Sequence, residues 1–271
     1  MTAFDSPTAR TGPGRSAGWA VTSLALRQTR RGALVVTGLV AGMSAVAVAA
    51  YPSTVKDPAD AVALEALAAN PAIRTLFGEP VALDDAGGFA VWRTGTALAV
   101  VLAVWALLAA TRITRGEEDA GRWDVLLAGR VPVTTVVVRH LAVLVAASLV
   151  TGSAAFAGLV AAGATGGGAA VHGAGLALCG MFFTAVGAMT AQVFATRSSA
   201  SGAAVAVLGI SMLLRMVGDG VAALGWLRWL SPLGLLALTR PYDGNPVLAS
   251  GGPGGRLSGP RRGSRDRGRA A

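Results

Sequence analysis

The sequence predicts an all-α protein, a polytopic bundle of about five transmembrane helices with one amphipathic helix at its cytoplasmic surface. Three observations predict this fold. Only 14% of the 271 residues are charged and 53% are hydrophobic, whereas a soluble domain carries about 25% charged residues. The mean hydropathy is +0.59. Several uncharged apolar runs approach the roughly 20 residues that a helix needs to cross a bilayer, and they are rich in small residues that allow close helix packing.

The transmembrane unit is predicted to cover residues 32–245, and its apolar runs place five spans within that range. They are residues 32–51, 94–111, 141–163, 173–195 and 202–218. Residues 221–245 contain aromatic residues and interruptions, which are typical of a segment lying at the headgroup level.

Three polar regions surround or connect these spans. Residues 1–31 are predicted to be a cytoplasmic segment in which residues 17–29 form a short interfacial helix. Residues 52–93 form an external loop that leans acidic, and residues 246–271 form a disordered tail rich in arginine, glycine and proline.

The distribution of arginine predicts the orientation of the bundle. Arginines precede the first span and occupy the connections between spans two and three and between spans four and five. Because basic loops favour the cytoplasmic side of a membrane, the amino terminus and the charged loop of residues 112–140 are predicted to be cytoplasmic.

The charged loop contains a segment, residues 113–131, with the pattern of a short amphipathic helix. Glu117 and Glu118 would lie in its first turn, where acidic side chains favour the helix dipole. Glu118 and Arg122 are spaced as an i,i+4 ion pair, and an apolar stripe begins at Trp123. Spacing alone leaves two interpretations open: a solvated connecting helix anchored at the membrane, or a docking element for a cytoplasmic partner.

Several segments resemble one known family. The segment RGEEDAGRWDVLLAGRV at residues 115–131 resembles the cytoplasmic loop of actinobacterial ATP-binding-cassette permeases of the type-2 export group, which are described as exporters of polyketide antibiotics. NPAIRTLFG at residues 70–78, GGFAVWR at 87–93 and LRWLSPLG at 227–234 resemble further parts of that family. The resemblance covers most of residues 20–245, about one half of such a permease, which we take to be the amino-terminal half.

This resemblance implies a function. The chain would be the membrane-spanning permease subunit of an ATP-driven exporter of antibiotics, drugs or other amphipathic compounds in a bacterial plasma membrane. A separate P-loop ATPase dimer would bind ATP and magnesium, and no cofactor would lie on this chain. A second permease half or another copy of the chain would complete the transporter. The residues implied to contact the ATPase are Arg115, Glu117, Glu118, Arg122 and Trp123.

The sequence gives little support for catalysis. A P-loop needs a glycine-rich stretch ending in lysine and serine or threonine, and Lys56 is the only lysine. His140 and His172 are predicted at opposite membrane boundaries, and no spacing typical of a metal site is found. A platform for nucleic acid is not indicated either. We therefore expect a transport subunit and not an enzyme.

Polar residues within the spans are candidates for the translocation path. Arg215 and Asp219 are four residues apart on one helix face and can neutralise each other, and Gln192 lies in the fourth span. Such residues either line an exit path or serve as a snorkelling pair and a helix-helix hydrogen bond. A truncated membrane scaffold without transport is the alternative function, because no sixth span precedes the change of composition at Pro246.

Overall fold

The computed structural model describes residues 17–119 and 132–243. Every regular element within these ranges is a helix, and five of the helices are long and apolar enough to cross a membrane. This confirms the predicted all-α transmembrane fold. The five helices are α1 (Ala17–Ala49), α5 (Ala86–Ile113), α7 (Val133–Ala161), α8 (Gly166–Val193) and α9 (Arg197–Gly220).

Shorter helices occupy the connections. Between α1 and α5 the chain forms α2 (Tyr51–Thr54), α3 (Pro58–Ala69) and α4 (Pro71–Phe77), and α6 (Arg115–Asp119) follows α5. After α9 come a 3-10 helix (Ala222–Leu230) and α10 (Pro232–Leu238). The predicted coupling helix falls largely on residues outside the described ranges, and so do the predicted tail and the start of the amino-terminal segment.

The first span differs from the prediction. Residues 17–29 are not a separate interfacial helix but the first part of α1, which runs unbroken to Ala49. The physical reason is a continuous buried stripe: Val21, Ala25 and Thr29 are 6%, 0% and 5% exposed and lead directly to Val36 and Val40. No proline interrupts this stripe, and Gly32 within it packs closely against Trp105, so packing against the bundle continues the helix through the arginines.

The other apolar helices also begin before the predicted spans, and polar caps set the starts of two of them, α5 and α9. Asp85 Oδ1 accepts hydrogen bonds from the amides of Gly87 and Gly88 at 2.8 and 3.0 Å, so α5 starts at Ala86 and not at residue 94. Thr196 caps α9 in the same way through the amide of Ser199. Such caps satisfy the free N–H groups of a first helical turn.

The core of the bundle lies along α5 and α8. In each of these two helices, half of the residues in an apolar 18-residue stretch are buried, compared with 28% in the corresponding stretches of α1 and α9. Leu102, Leu107 and Phe183 are fully buried at this centre. The helices α1 and α9 therefore lie at the periphery and present most of their apolar surface outward.

Hydroxyl groups connect neighbouring helices through the apolar interior. Thr37 and Thr151 join α1 to α7 at 2.8 Å, and Thr111 joins Ser201 across α5 and α9 at 3.0 Å. Because hydrocarbon offers no competing hydrogen bonds, such pairs stabilise membrane helices by about 0.6 kcal/mol each on average.

Close helix contacts depend on particular glycines, and this generates a prediction. A Cβ at Gly152 would overlap the carbonyl oxygen of Gly173, whereas nothing lies within 4 Å of a Cβ at Gly42. We expect Gly152→Ala to lower the free energy of unfolding by about 1–3 kcal/mol through overpacking. Thermal unfolding in detergent measures the difference.

Gly42→Ala is the matched control, since it introduces the same methyl group on a helix without a contact. It is expected to leave the melting temperature unchanged or slightly raised. Equal melting temperatures for the two variants would contradict the close approach of α7 and α8.

Candidate functional site

The two ends of the bundle differ in their charged groups. We call the end that carries α2–α4 and residues 221–243 the loop end, and the end that carries the start of α1, α6 and residues 194–197 the basic end. Each end contains some of the candidate residues found in the sequence.

A buried ion pair anchors the loop end. Arg215 on α9 is 1% exposed, and its Nε lies 2.9 Å from Asp219 Oδ2 one helical turn later. Arg215 Nη1 also donates a hydrogen bond of 3.1 Å to the carbonyl oxygen of Leu76. The structure therefore brings the two predicted residues together and attaches them to the last turn of α4.

Glu79 extends this pair into a network. Its two carboxylate oxygens accept hydrogen bonds from Arg228 at 2.8 Å and from Arg240 at 2.9 Å. Arg228 Nη1 is also 3.5 Å from Asp219 Oδ1, and Arg240 pairs with Asp243 at 3.3 Å. Burial raises the pKa of Glu79, but the hydrogen bonds and charges of the two arginines outweigh burial and lower that pKa overall.

The chain between α4 and α5 is shaped to reach this network. Gly78 has a φ of 98°, and a Cβ there would overlap the guanidinium of Arg215. Trp92 Nε1 donates a hydrogen bond of 3.2 Å to the Gly78 carbonyl oxygen. A residue with a side chain would be strained in this conformation and would displace Arg215. Glycine is thus required at position 78 for two reasons: the positive φ of its backbone and the absence of a side chain that would displace Arg215.

An inner cavity of about 60 Å³ lies directly beneath the network. Its polar wall contains Glu79, Arg215, Arg228, Arg240 and His172. Its remaining wall is mostly apolar and aromatic and comes from the segment after α4, from α5 and from α10; it includes Phe77, Trp92, Leu233 and Leu236.

Tyr242 closes one side of the inner cavity. A Cβ at Gly87 on α5 or at Gly168 on α8 would overlap its ring, so these two glycines form the slot that holds it. Burial and the nearby Asp85 carboxylate raise the pKa of the Tyr242 hydroxyl, which accordingly stays neutral at physiological pH.

At the basic end, α6 is attached to the connection between α8 and α9. Arg115 Nε donates a hydrogen bond of 2.9 Å to the carbonyl oxygen of Phe194, and its Nη1 lies 2.6 Å from Glu118 Oε2. The side chain of Arg197 packs against Gly116. Of the residues implied to contact the ATPase, Arg115 and Glu118 thus form an ion pair with each other.

The remaining predicted residues stand apart. Arg122, Trp123 and the side chain of Glu117 lie outside what the structure describes. Gln192 is exposed near the end of α8, 20 residues after His172, which corresponds to about 30 Å along a helix. It is therefore not brought together with Arg215 and Asp219. Across residues 17–119 and 132–243, no three His, Cys, Asp or Glu side chains approach as a metal site requires.

Comparison with known proteins places this bundle in a family. Residues 19–244 match the model described as the C-terminal domain of the multidrug efflux system permease Rv1217c. The chain belongs to this family. The match covers both charged sites and all five long helices, and the protein is a multi-pass membrane protein of the permease type.

One curated relative extends the comparison. The multidrug efflux system permease protein Rv1217c of Mycobacterium tuberculosis (strain ATCC 25618 / H37Rv) is 36% identical over 192 residues, which cover 69% of this chain and 33% of the relative. The matched region is therefore about a third of the relative's length. The sequence resemblance pointed to an amino-terminal half, whereas the matching family model describes a C-terminal domain.

The buried pair predicts a large effect of removing one partner. Asp219→Asn leaves the Arg215 guanidinium buried without its counter-ion, and we expect a loss of about 3–5 kcal/mol in the free energy of unfolding. Denaturant unfolding in detergent measures it. The control is Asp243→Asn, whose side chain is 52% exposed and whose loss should cost less than about 1 kcal/mol. Similar losses for the two variants would contradict a buried ion pair.

The lowered pKa of Glu79 predicts a pH dependence. A group whose pKa is lower in the folded state contributes stability above its unfolded pKa, and that stability disappears as the pH falls through the folded value. We expect the melting temperature to decrease below about pH 4.5, the ordinary value for this carboxyl, and Glu79→Gln to flatten part of the decrease.

Glu65→Gln on the exposed face of α3 provides the control for this pH series, since Glu65 makes no ion pair with a residue that the structure describes. Melting temperatures of the wild type and the Glu79 variant that change in parallel with pH would show that Glu79 is not the titrating group.

Proposed function

We propose that the chain is the membrane-spanning permease subunit of a drug-efflux exporter that is energised by a separate ATPase. The observation that carries this proposal is the family match over residues 19–244, which includes every long helix of the bundle. The efflux system named for the relative supplies the class of cargo, namely drugs and other amphipathic compounds. Because Lys56 is the only lysine in this chain, ATP and magnesium would be bound by the partner, a P-loop ATPase dimer.

The charge distribution supports a bacterial plasma membrane protein with its basic end in the cytoplasm. Arg27, Arg30 and Arg31 are exposed on the first half of α1, and Arg112 lies at the same end. The loop end carries the six acidic residues that lie between positions 52 and 85. Under the positive-inside rule, this asymmetry supports a cytoplasmic location for the start of α1 and the segment around α6, on the side where ATP is available.

The contacts of α6 support a role in coupling. A force applied to residues 115–131 by an ATPase would act on Arg115, whose guanidinium is bonded to the Phe194 carbonyl oxygen at the end of α8. The next helix, α9, is 24 residues long and therefore extends about 36 Å, with the buried pair about 27–33 Å from its start. A continuous helix thus connects the proposed ATPase contact to the network that covers the inner cavity.

A second membrane unit would complete the exporter. The chain matches 33% of its relative, and α1 and α9 present most of their apolar surface outward. We propose that a second permease half or another copy of this chain, together with lipid, covers part of this surface.

Co-purification tests the proposed coupling. Tagged chain is co-expressed with the ATPase encoded beside it, and capture of the ATPase is compared between the wild type and the Glu117→Ala/Glu118→Ala variant. We expect the variant to lose most of the captured ATPase, about tenfold or more, because two acidic contacts are removed together. Efflux of a panel of amphipathic antibiotics from cells that carry both proteins should decrease in parallel.

Asp60→Ala/Glu65→Ala is the matched control, since it removes the same amount of charge at the opposite end, on α3. It should capture as much ATPase as the wild type. Correct membrane insertion without any capture by the wild-type chain would reject the permease proposal and favour a scaffold that does not transport.

A further inference from the structure

The bundle has an outer groove beside the inner cavity. The groove has a volume of about 400 Å³ and lies between the end of α4, one face of α5 and α9. Its floor is apolar, with Ala97, Val100, Val101 and Met212 as its principal lining. Arg93 stands at the end nearest the start of α5, and the apolar residues follow it on the same helix face for about 12 Å.

The outer groove and the inner cavity meet at two residues. Among the residues that the structure describes, only Phe77 and Thr96 line both spaces. The ring of Phe77 packs against Trp92 with centroids 5.3 Å apart and is 37% exposed. The Phe77 side chain therefore stands at the boundary between the two spaces.

Polar groups without partners face the inner cavity. His172 lines it and is 2% exposed, yet its ring makes no hydrogen bond to a residue that the structure describes. The Thr96 hydroxyl at the junction also has no hydrogen-bond partner in the described ranges. Buried polar side chains in native proteins nearly always have a partner, so the buried His172 ring is available to a ligand or to water, and the partly exposed Thr96 hydroxyl lies beside it on the path from the groove.

The sizes of the two spaces point to the shape of a ligand. Sites for drug-sized molecules enclose about 300–1,000 Å³ and combine apolar walls with a few polar groups. The outer groove reaches this range and is apolar, whereas the inner cavity of about 60 Å³ holds a small polar group or a few water molecules.

The charges of the walls point to the chemistry of the polar group. Three guanidinium groups line the inner cavity, namely those of Arg215, Arg228 and Arg240, but the carboxylates of Glu79, Asp219 and Asp243 pair with them and balance their charge. Both oxygens of Glu79 already accept hydrogen bonds from arginines. Arg93 adds a cation at the groove, with the Phe89 ring 5.8 Å away and no ion-pair partner among the described residues. Among the described charged residues that line the two spaces, Arg93 is thus the one without a counter-ion, and its charge disfavours a cationic group but not a neutral or anionic acceptor.

We infer that the outer groove and the inner cavity form one binding site for an amphipathic compound that enters from the lipid side. Its apolar body lies in the groove along α5, and its compact neutral or anionic polar group passes Phe77 and reaches Thr96 and His172. This inference rests on the proposed efflux function, since it identifies where the cargo binds and which cargo is favoured.

Three fluorescent probes with the same apolar body test the inference. Dansyl-glycine is anionic, its methyl ester is neutral, and dansyl-ethylenediamine is cationic. Binding to the purified full chain in phosphatidylcholine nanodiscs is followed by dansyl emission. We expect the anionic and neutral probes to bind at least tenfold more tightly than the cationic probe.

Two substitutions locate the site. Thr96→Phe fills the junction and should weaken binding of the two favoured probes at least tenfold, whereas Val104→Phe on the exposed face of α5 should change it less than twofold. Thr96→Val keeps the side-chain shape but removes the hydroxyl, and it should weaken binding about fivefold, as expected for one hydrogen bond. This second variant decides the question if Thr96→Phe does not fold.

Several outcomes would overturn the inference. Equal binding of the three probes, unaffected by substitution of Thr96, would show partition into lipid only. Tightest binding of the cationic probe would reject the charge assignment. Binding to the isolated chain but not to the assembled exporter would show that the groove is a contact with the second membrane unit. Because the measurement needs no ATPase, its failure is distinguishable from failure of the proposed function.

Discussion

The loop end of this protein depends on the burial of one ion pair, Arg215 with Asp219. Neither charge is stable alone at this depth, since transfer of an isolated charge out of water is very unfavourable. The pair is neutral as a unit, but the guanidinium keeps N–H groups that need acceptors. The Leu76 carbonyl oxygen supplies one, and this requirement holds the last turn of α4 over the end of α9. Gly78 makes the approach possible because it has no side chain.

A second constraint follows from the first. Once the Asp219 carboxylate is buried, Arg228 of the 3-10 helix lies close to it, and Glu79 offsets the added positive charge. Arg240 then binds the other oxygen of Glu79. Each charged group offsets the charge of the one before it. Ion pairs therefore hold the segment after α9 in place as much as apolar packing does. The inner cavity exists because this layer of ion pairs spans the ends of α5, α8 and α9 without filling the space between them.

The sequence predicts the spans and one part of the network for a clear physical reason. Apolar runs and the i,i+4 spacing of Arg215 and Asp219 are local patterns that periodicity reveals. The pairs of Glu79 with Arg228 and Arg240 join residues 149 and 161 positions apart, and nothing local in the sequence indicates them. The unbroken α1 was missed because Arg27, Arg30 and Arg31 look like the boundary of a span. They are tolerated because they lie on the exposed side of a helix whose opposite face is buried.

The helix α9 connects the two charged ends of the bundle. Its first turn touches Gly116 through Arg197, and its last turn carries Arg215 and Asp219. Only 28% of the residues in its apolar 18-residue stretch are buried, compared with half in α5 and α8. The helix α9 is therefore among the least buried helices of the bundle. A peripheral helix moves with less disruption of the core than a central one. Met212 of the groove and Arg215 of the inner cavity lie on this same helix, and a displacement of α9 therefore alters both spaces and the network that covers them together.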